Sequence, residues 1–103
     1  MNTPIETQQV IVTATSDRPL RPLIEDALRH ELAFLETGIH RTQQRLEAFE
    51  TAHGMPTAEF LRRLQADEIA ETLDTVEWGG EQRMWERLSA KANMLRGVRV
   101  VDP

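Results

Sequence analysis

Leu28, Leu32, Leu35, Ile39, Thr42, Leu46 and Phe49 follow one another at alternating spacings of four and three residues. That is a heptad seam, and it places all seven side chains on one stripe of an α-helix. Leu20 and Ile24 extend the stripe towards the N-terminus, while Glu31, Glu36, Arg41, Gln43, Gln44, Arg45 and Glu47 fill the positions between with water-seeking helix formers. A helix of about 30 residues spans ~45 Å, and a rod of that length needs a second helix along it. Thr42 is the one polar member of the seam. Its hydroxyl either bonds back to its own helix or sets register as a lone buried polar group.

The ends of this helix are legible too. Ser16-Asp17-Arg18-Pro19 supplies a turn, and the helix is expected to start between Pro19 and Pro22. His53-Gly54-Met55-Pro56 places glycine at a left-handed C-cap, a hydrophobe behind it, and proline to prevent continuation. Thr57 is expected to cap a short helix from Ala58 to about Ala66, with an apolar face of Phe60, Leu61 and Leu64. Asp67 to Asp74 is acidic and reads as partly helical, since Ile69, Leu73 and Val76 have helical spacing. Gly79-Gly80 reads as a breaker or as a point of close helix approach. Glu81 to Arg96 is a return helix with Met84, Trp85, Leu88, Ala92 and Leu95 on one face, ended by Gly97.

Gln9 to Thr15 and Val98 to Val101 are rich in β-branched residues and have strand character. Two antiparallel helices bring these segments to the same end. The predicted fold is therefore mainly α: a long helical hairpin, a short intervening helix and a small terminal β-ribbon. Residues 1–103 form one helical domain, with residues 1–8 disordered. Leucine dominates the aliphatic stock, and three Phe and two Trp are the only aromatics, so the core is thin and a homodimer is expected.

Charge and candidate chemistry narrow the function. A net charge of −5 weighs against sequence-independent nucleic-acid binding. The absence of cysteine excludes a disulfide framework, a thiolate metal site and a cysteine nucleophile. No signal peptide or membrane-spanning run is read, which gives a cytoplasmic expectation. His30 and His40 are ten residues apart and diverge on one helix, and Glu36 with His40 supplies only two ligands, too few for a zinc site. His53 suits the negative end of a helix dipole. Ser16 and Ser89 lack a nucleophile motif, and there is no Gly-rich phosphate loop. The acidic run Asp67, Glu68, Glu71, Asp74 and Glu77 reads as a solvated face or a surface for a basic partner. No catalytic, cofactor or metal site is expected. Trp78 and Trp85, seven apart, share a helical face and read as core, dimer packing or interface anchors. With Glu77 they are the candidate partner-binding residues.

Three runs carry a family resemblance. Leu46-Glu47-Ala48-Phe49-Glu50, then His53-Gly54-Met55-Pro56-Thr57-Ala58-Glu59-Phe60-Leu61, and later Asp74-Thr75-Val76-Glu77-Trp78 resemble a group of small helical bacterial and archaeal proteins. These share a Tyr/His-Gly-Met-Ser-x-x-Glu-Phe turn and an Asp-x-x-Glu-Trp element at the same separation, and the likeness extends from about Val10 to Val101. This chain departs from the pattern between Gln65 and Leu73, reading Asp67 and Ala70 where those proteins usually carry glycine. Many members are encoded beside a toxin, commonly of the TumE type. The resemblance implies an antitoxin-like, non-catalytic protein that neutralises a partner toxin by direct binding. The alternatives are a structural coiled-coil-like homodimerisation module and a DNA-binding autorepressor that uses its arginines and terminal ribbon.

Overall fold

The structure is a computed structural model that describes residues 6–102. It contains three helices: α1 (Arg21–His53), α2 (Thr57–Gln65) and α3 (Leu73–Arg96). α3 returns along α1 as the second arm of a hairpin, and α2 sits at the turn end. All seven seam residues of α1 are buried or half-buried, with Leu35, Thr42 and Leu46 the most enclosed. The seam is thus closed within the chain by α3. Thr42 donates its hydroxyl to the Gly38 carbonyl one turn back, so the bond to its own helix is the one formed.

α1 starts at Arg21 with Pro22 in its first turn, where no amide donor is missed. Gly54 ends it at φ +64°, and the Met55 amide donates to the Glu50 carbonyl at 3.2 Å. Met55 then turns onto the core. α3 begins earlier than the Glu81 read from sequence, and Asp67 to Thr72 is loop. The Thr72 and Thr75 hydroxyls cap each other's backbone amides, which starts the helix at Leu73 and carries it through Gly79-Gly80. The glycine pair is neither breaker nor close approach, since a Cβ at either site would meet only Arg83 of the same helix. The close approach lies at Gly38, where an added Cβ would stand 3.1 Å from Leu88 Cδ1.

The expected terminal ribbon is absent: among the described residues there is no strand. Residues 6–19 are exposed along their length, and the C-terminal tail lies near the start of α1, where Arg21 donates to Asp102 at 3.2 Å. A ribbon of two short strands without an apolar face beneath it is marginal in water. Here the helices offer no such face to both segments. Of residues 1–8, expected to be disordered, 1–5 lie outside the described residues, while Glu6 to Gln8 are exposed and in no regular element. No helix among the described residues is long and apolar enough to cross a membrane.

The molecule measures 61 × 35 × 17 Å with a radius of gyration of 19.5 Å. A compact domain of this length has about 13 Å. It is a single layer of helices, and each arm buries one stripe.

The two kinds of glycine respond oppositely to the same substitution. Gly54→Ala forces a side chain into the left-handed region and lowers stability by ~1–2 kcal/mol. Gly80→Ala meets nothing closer than the flexible end of Arg83 at 3.9 Å and raises stability by up to ~1 kcal/mol. Urea denaturation of dilute protein followed by helical circular dichroism measures both.

Candidate functional site

The turn end of the hairpin is built on aromatic residues from all three helices. Trp78 of α3 is 1% exposed and stacks on Phe60 of α2 with ring centroids 4.0 Å apart and planes 3° apart. Phe49 and His53 of α1 stack against it at 5.7 and 5.3 Å. The Trp78 indole Nε1 donates to Thr57 Oγ1 at 3.0 Å. Thr57 in turn donates its amide and its hydroxyl to the Glu50 carboxylate, at 2.7 and 2.9 Å. Thr57 is therefore not the cap residue of α2, which is Pro56, but a buried relay between α1 and α3. Among the turn residues, His53 also bonds Asp74 at 3.1 Å, tying the end of α1 to the start of α3.

The candidate partner-binding residues separate. Trp78 belongs to the core and offers no surface for an anchor. Trp85 shares its face, is half-buried against the same cluster, and its buried Nε1 meets no acceptor among the described residues. Glu77 alone is exposed and forms no ion pair there. It lies on the wall of a groove of about 650 Å³ between α1 and α3, lined also by Arg45, Ala48, Phe49, Ala52, Asp74, Gly80 and Glu81. Arg45 bonds Glu81 across it at 3.1 Å. The alanines of its wall, Ala48 and Ala52, were not singled out from the sequence, where such residues inside a helix carry no signal of their own. Their common spacing with Phe34 and Gly38, alternately four and three, was the available clue.

A second groove, of about 550 Å³, lies at the other end between Leu28, Leu32, Leu95 and the tail residues Val98 to Val101. Hydrogen bonds to Asp102 and Glu25 raise the Arg21 guanidinium above its ordinary pKa. Among the described residues no three His, Asp or Glu side chains converge on a point where a metal could sit. On α2, Glu59 accepts from Arg62 and Arg63, which hold its carboxyl down at about 2 and raise the Arg62 guanidinium. This cluster fastens α2 to itself on the solvent side. No protein-family model, no curated protein and no solved structure matches this chain.

The two tryptophans differ in what truncation removes. Trp78→Phe deletes the bond to Thr57 and costs ~1–3 kcal/mol. Trp85→Phe removes an unsatisfied donor and costs less, within ~1 kcal/mol of wild type. Thermal or urea unfolding of the two variants side by side tests the order.

Glu59 yields a pH prediction of definite sign. Its folded pKa is depressed, so its contribution is fully present above the unfolded value near 4.5 and is lost as pH falls through about 2. The stability gap between wild type and Glu59→Gln is widest near neutrality and narrows below pH ~4.5. Denaturation curves at pH 7, 4 and 3 measure it.

Proposed function

We propose that this chain is a non-catalytic protein-binding module, antitoxin-like, that neutralises a partner toxin by direct binding. The observation that carries the reading is the uncovered segment ahead of α1. Val10 and Ile11 are 84% and 90% exposed, in a stretch that belongs to no helix or strand. β-Branched residues in such a segment suit addition to the edge of a partner's sheet, where main-chain bonds give affinity and side chains give specificity. A thin single-layer fold supports the same reading, because it leaves much of its surface available to another protein.

That the partner is a toxin follows from the resemblance of the His53–Leu61 and Asp74–Trp78 runs. Asp67 supports that resemblance: it takes φ +59°, a glycine-like conformation, in the loop where those proteins usually carry glycine. Of the residues first singled out, Glu77 on the groove wall remains a candidate contact. The autorepressor reading relied on a terminal ribbon and is weaker without one.

The test is co-expression with the protein encoded by the adjacent gene, followed by pull-down and a growth assay. The neighbour co-purifies and its toxicity is suppressed. Val10→Lys with Ile11→Lys weakens capture by at least ~30-fold while leaving helicity and melting temperature unchanged. A neighbour that neither binds nor is neutralised overturns the proposal, and equal capture by the double variant removes the segment from it.

A further inference from the structure

The flank of α1 that holds the groove carries a second regular series. Phe34, Gly38, Arg41, Arg45, Ala48 and Ala52 follow at alternating spacings of four and three, beside the seam that α3 covers. Phe34 is 73% exposed. Ala48 and Ala52 are each two residues, about 200°, from Glu50, so the series lies away from the side on which Glu50 binds α2. On α3, Glu77, Gly80, Met84, Leu88 and Lys91 form the matching series. The face thus has a protruding ring at one end and a small-walled groove at the other. It also has a cation, Lys91, level with the ring and an anion, Glu77, in the groove, neither of which forms an ion pair among the described residues.

We infer that this face is covered by a second copy of the chain, laid antiparallel about a two-fold axis that passes near Arg41 and Met84. Each copy's Phe34 then enters the other's groove between Ala48, Ala52 and Gly80, and each Lys91 meets the other's Glu77. The geometry is over-determined. Phe34 and Ala48 are fourteen residues apart on α1, as are Glu77 and Lys91 on α3, about 21 Å in both cases. The midpoints of the two intervals are Arg41 and Met84. These lie at the same height, because Gly38 meets Leu88 and Arg45 bonds Glu81 on either side of them. One axis therefore satisfies the apolar fit and the charge pairing together, as a self-complementary interface requires. The two copies of Arg41 face each other at that axis, which keeps the association weak and dependent on concentration.

The test uses the isolated protein and is independent of any partner toxin. Light scattering and sedimentation from ~5 to ~500 µM show mass rising from 11.8 kDa towards twice that value. Phe34→Asp weakens association at least ~10-fold with helicity intact, and Arg41→Ala tightens it. Lys91→Glu and Glu77→Lys each weaken it, and the double exchange restores it. Because the chain has no cysteine, single-cysteine variants report the orientation. Phe34→Cys cross-links to Ala48→Cys in a mixture in preference to itself. A monomer throughout the range overturns the inference. So does a dimer indifferent to Phe34→Asp and to the charge exchange, or one in which Phe34→Cys cross-links mainly to itself.

Discussion

The hydrogen bond from the Trp78 indole to Thr57, relayed to the Glu50 carboxylate, joins the three helices at one place, and the rest of the structure depends on it. A buried indole donor and a buried threonine both need partners, and here each satisfies the other. Phe60 lies flat on Trp78 because α2 must present its apolar face where that polar chain closes. The turn at Gly54 brings Thr57 back within reach of Glu50, seven residues earlier. Without this relay α2 would hold to the hairpin by few contacts, since only Thr57 and Phe60 of that helix are buried.

From that end the hairpin runs as a two-helix layer that cannot enclose a core on its own. Stable domains bury an apolar stripe against another layer, and here only the short α2, at one end, adds to the two arms of the hairpin. The buried apolar residues among those described accordingly number few: Leu35, Leu46, Phe60, Trp78 and Ala92. Shape and function are linked through this shortage. A layer 17 Å thick exposes both faces along its length, and its exposed apolar side chains stand on the helix flanks, on the segment before α1 and on the tail after α3. The protein binding and the self-association proposed above draw on the same deficit, the first mainly through the segment before α1 and the second through the groove face, with Glu77 common to both.

Much of the fold was legible because helical periodicity and caps are local. The spacing of the seven seam residues placed one face of α1, and His53-Gly54-Met55-Pro56 placed its end, with no knowledge of what packs there. The strand readings at Gln9–Thr15 and Val98–Val101 came from propensity alone, which expresses how well a residue fits a pleated surface once that surface exists. Neither segment has one within the chain. The candidate site was less legible. Trp78 and Trp85 look alike in sequence, and only the position of Thr57 makes one a hydrogen-bonded core residue and leaves the other with an unmet donor.

By itself the sequence determined three helices, their seam, the left-handed glycine at Gly54 and the lack of cysteine chemistry, each a property of neighbours within one or two turns. The tertiary structure decided that the seam closes on α3 of the same chain, and that α3 continues through Gly79-Gly80 from a threonine cap at Thr72. It also decided that Trp78 is core while Glu77 faces a groove. The reason is physical. Burial, pairing and the space between helices depend on residues far apart in the chain, and no local pattern encodes which of several apolar stripes will be covered.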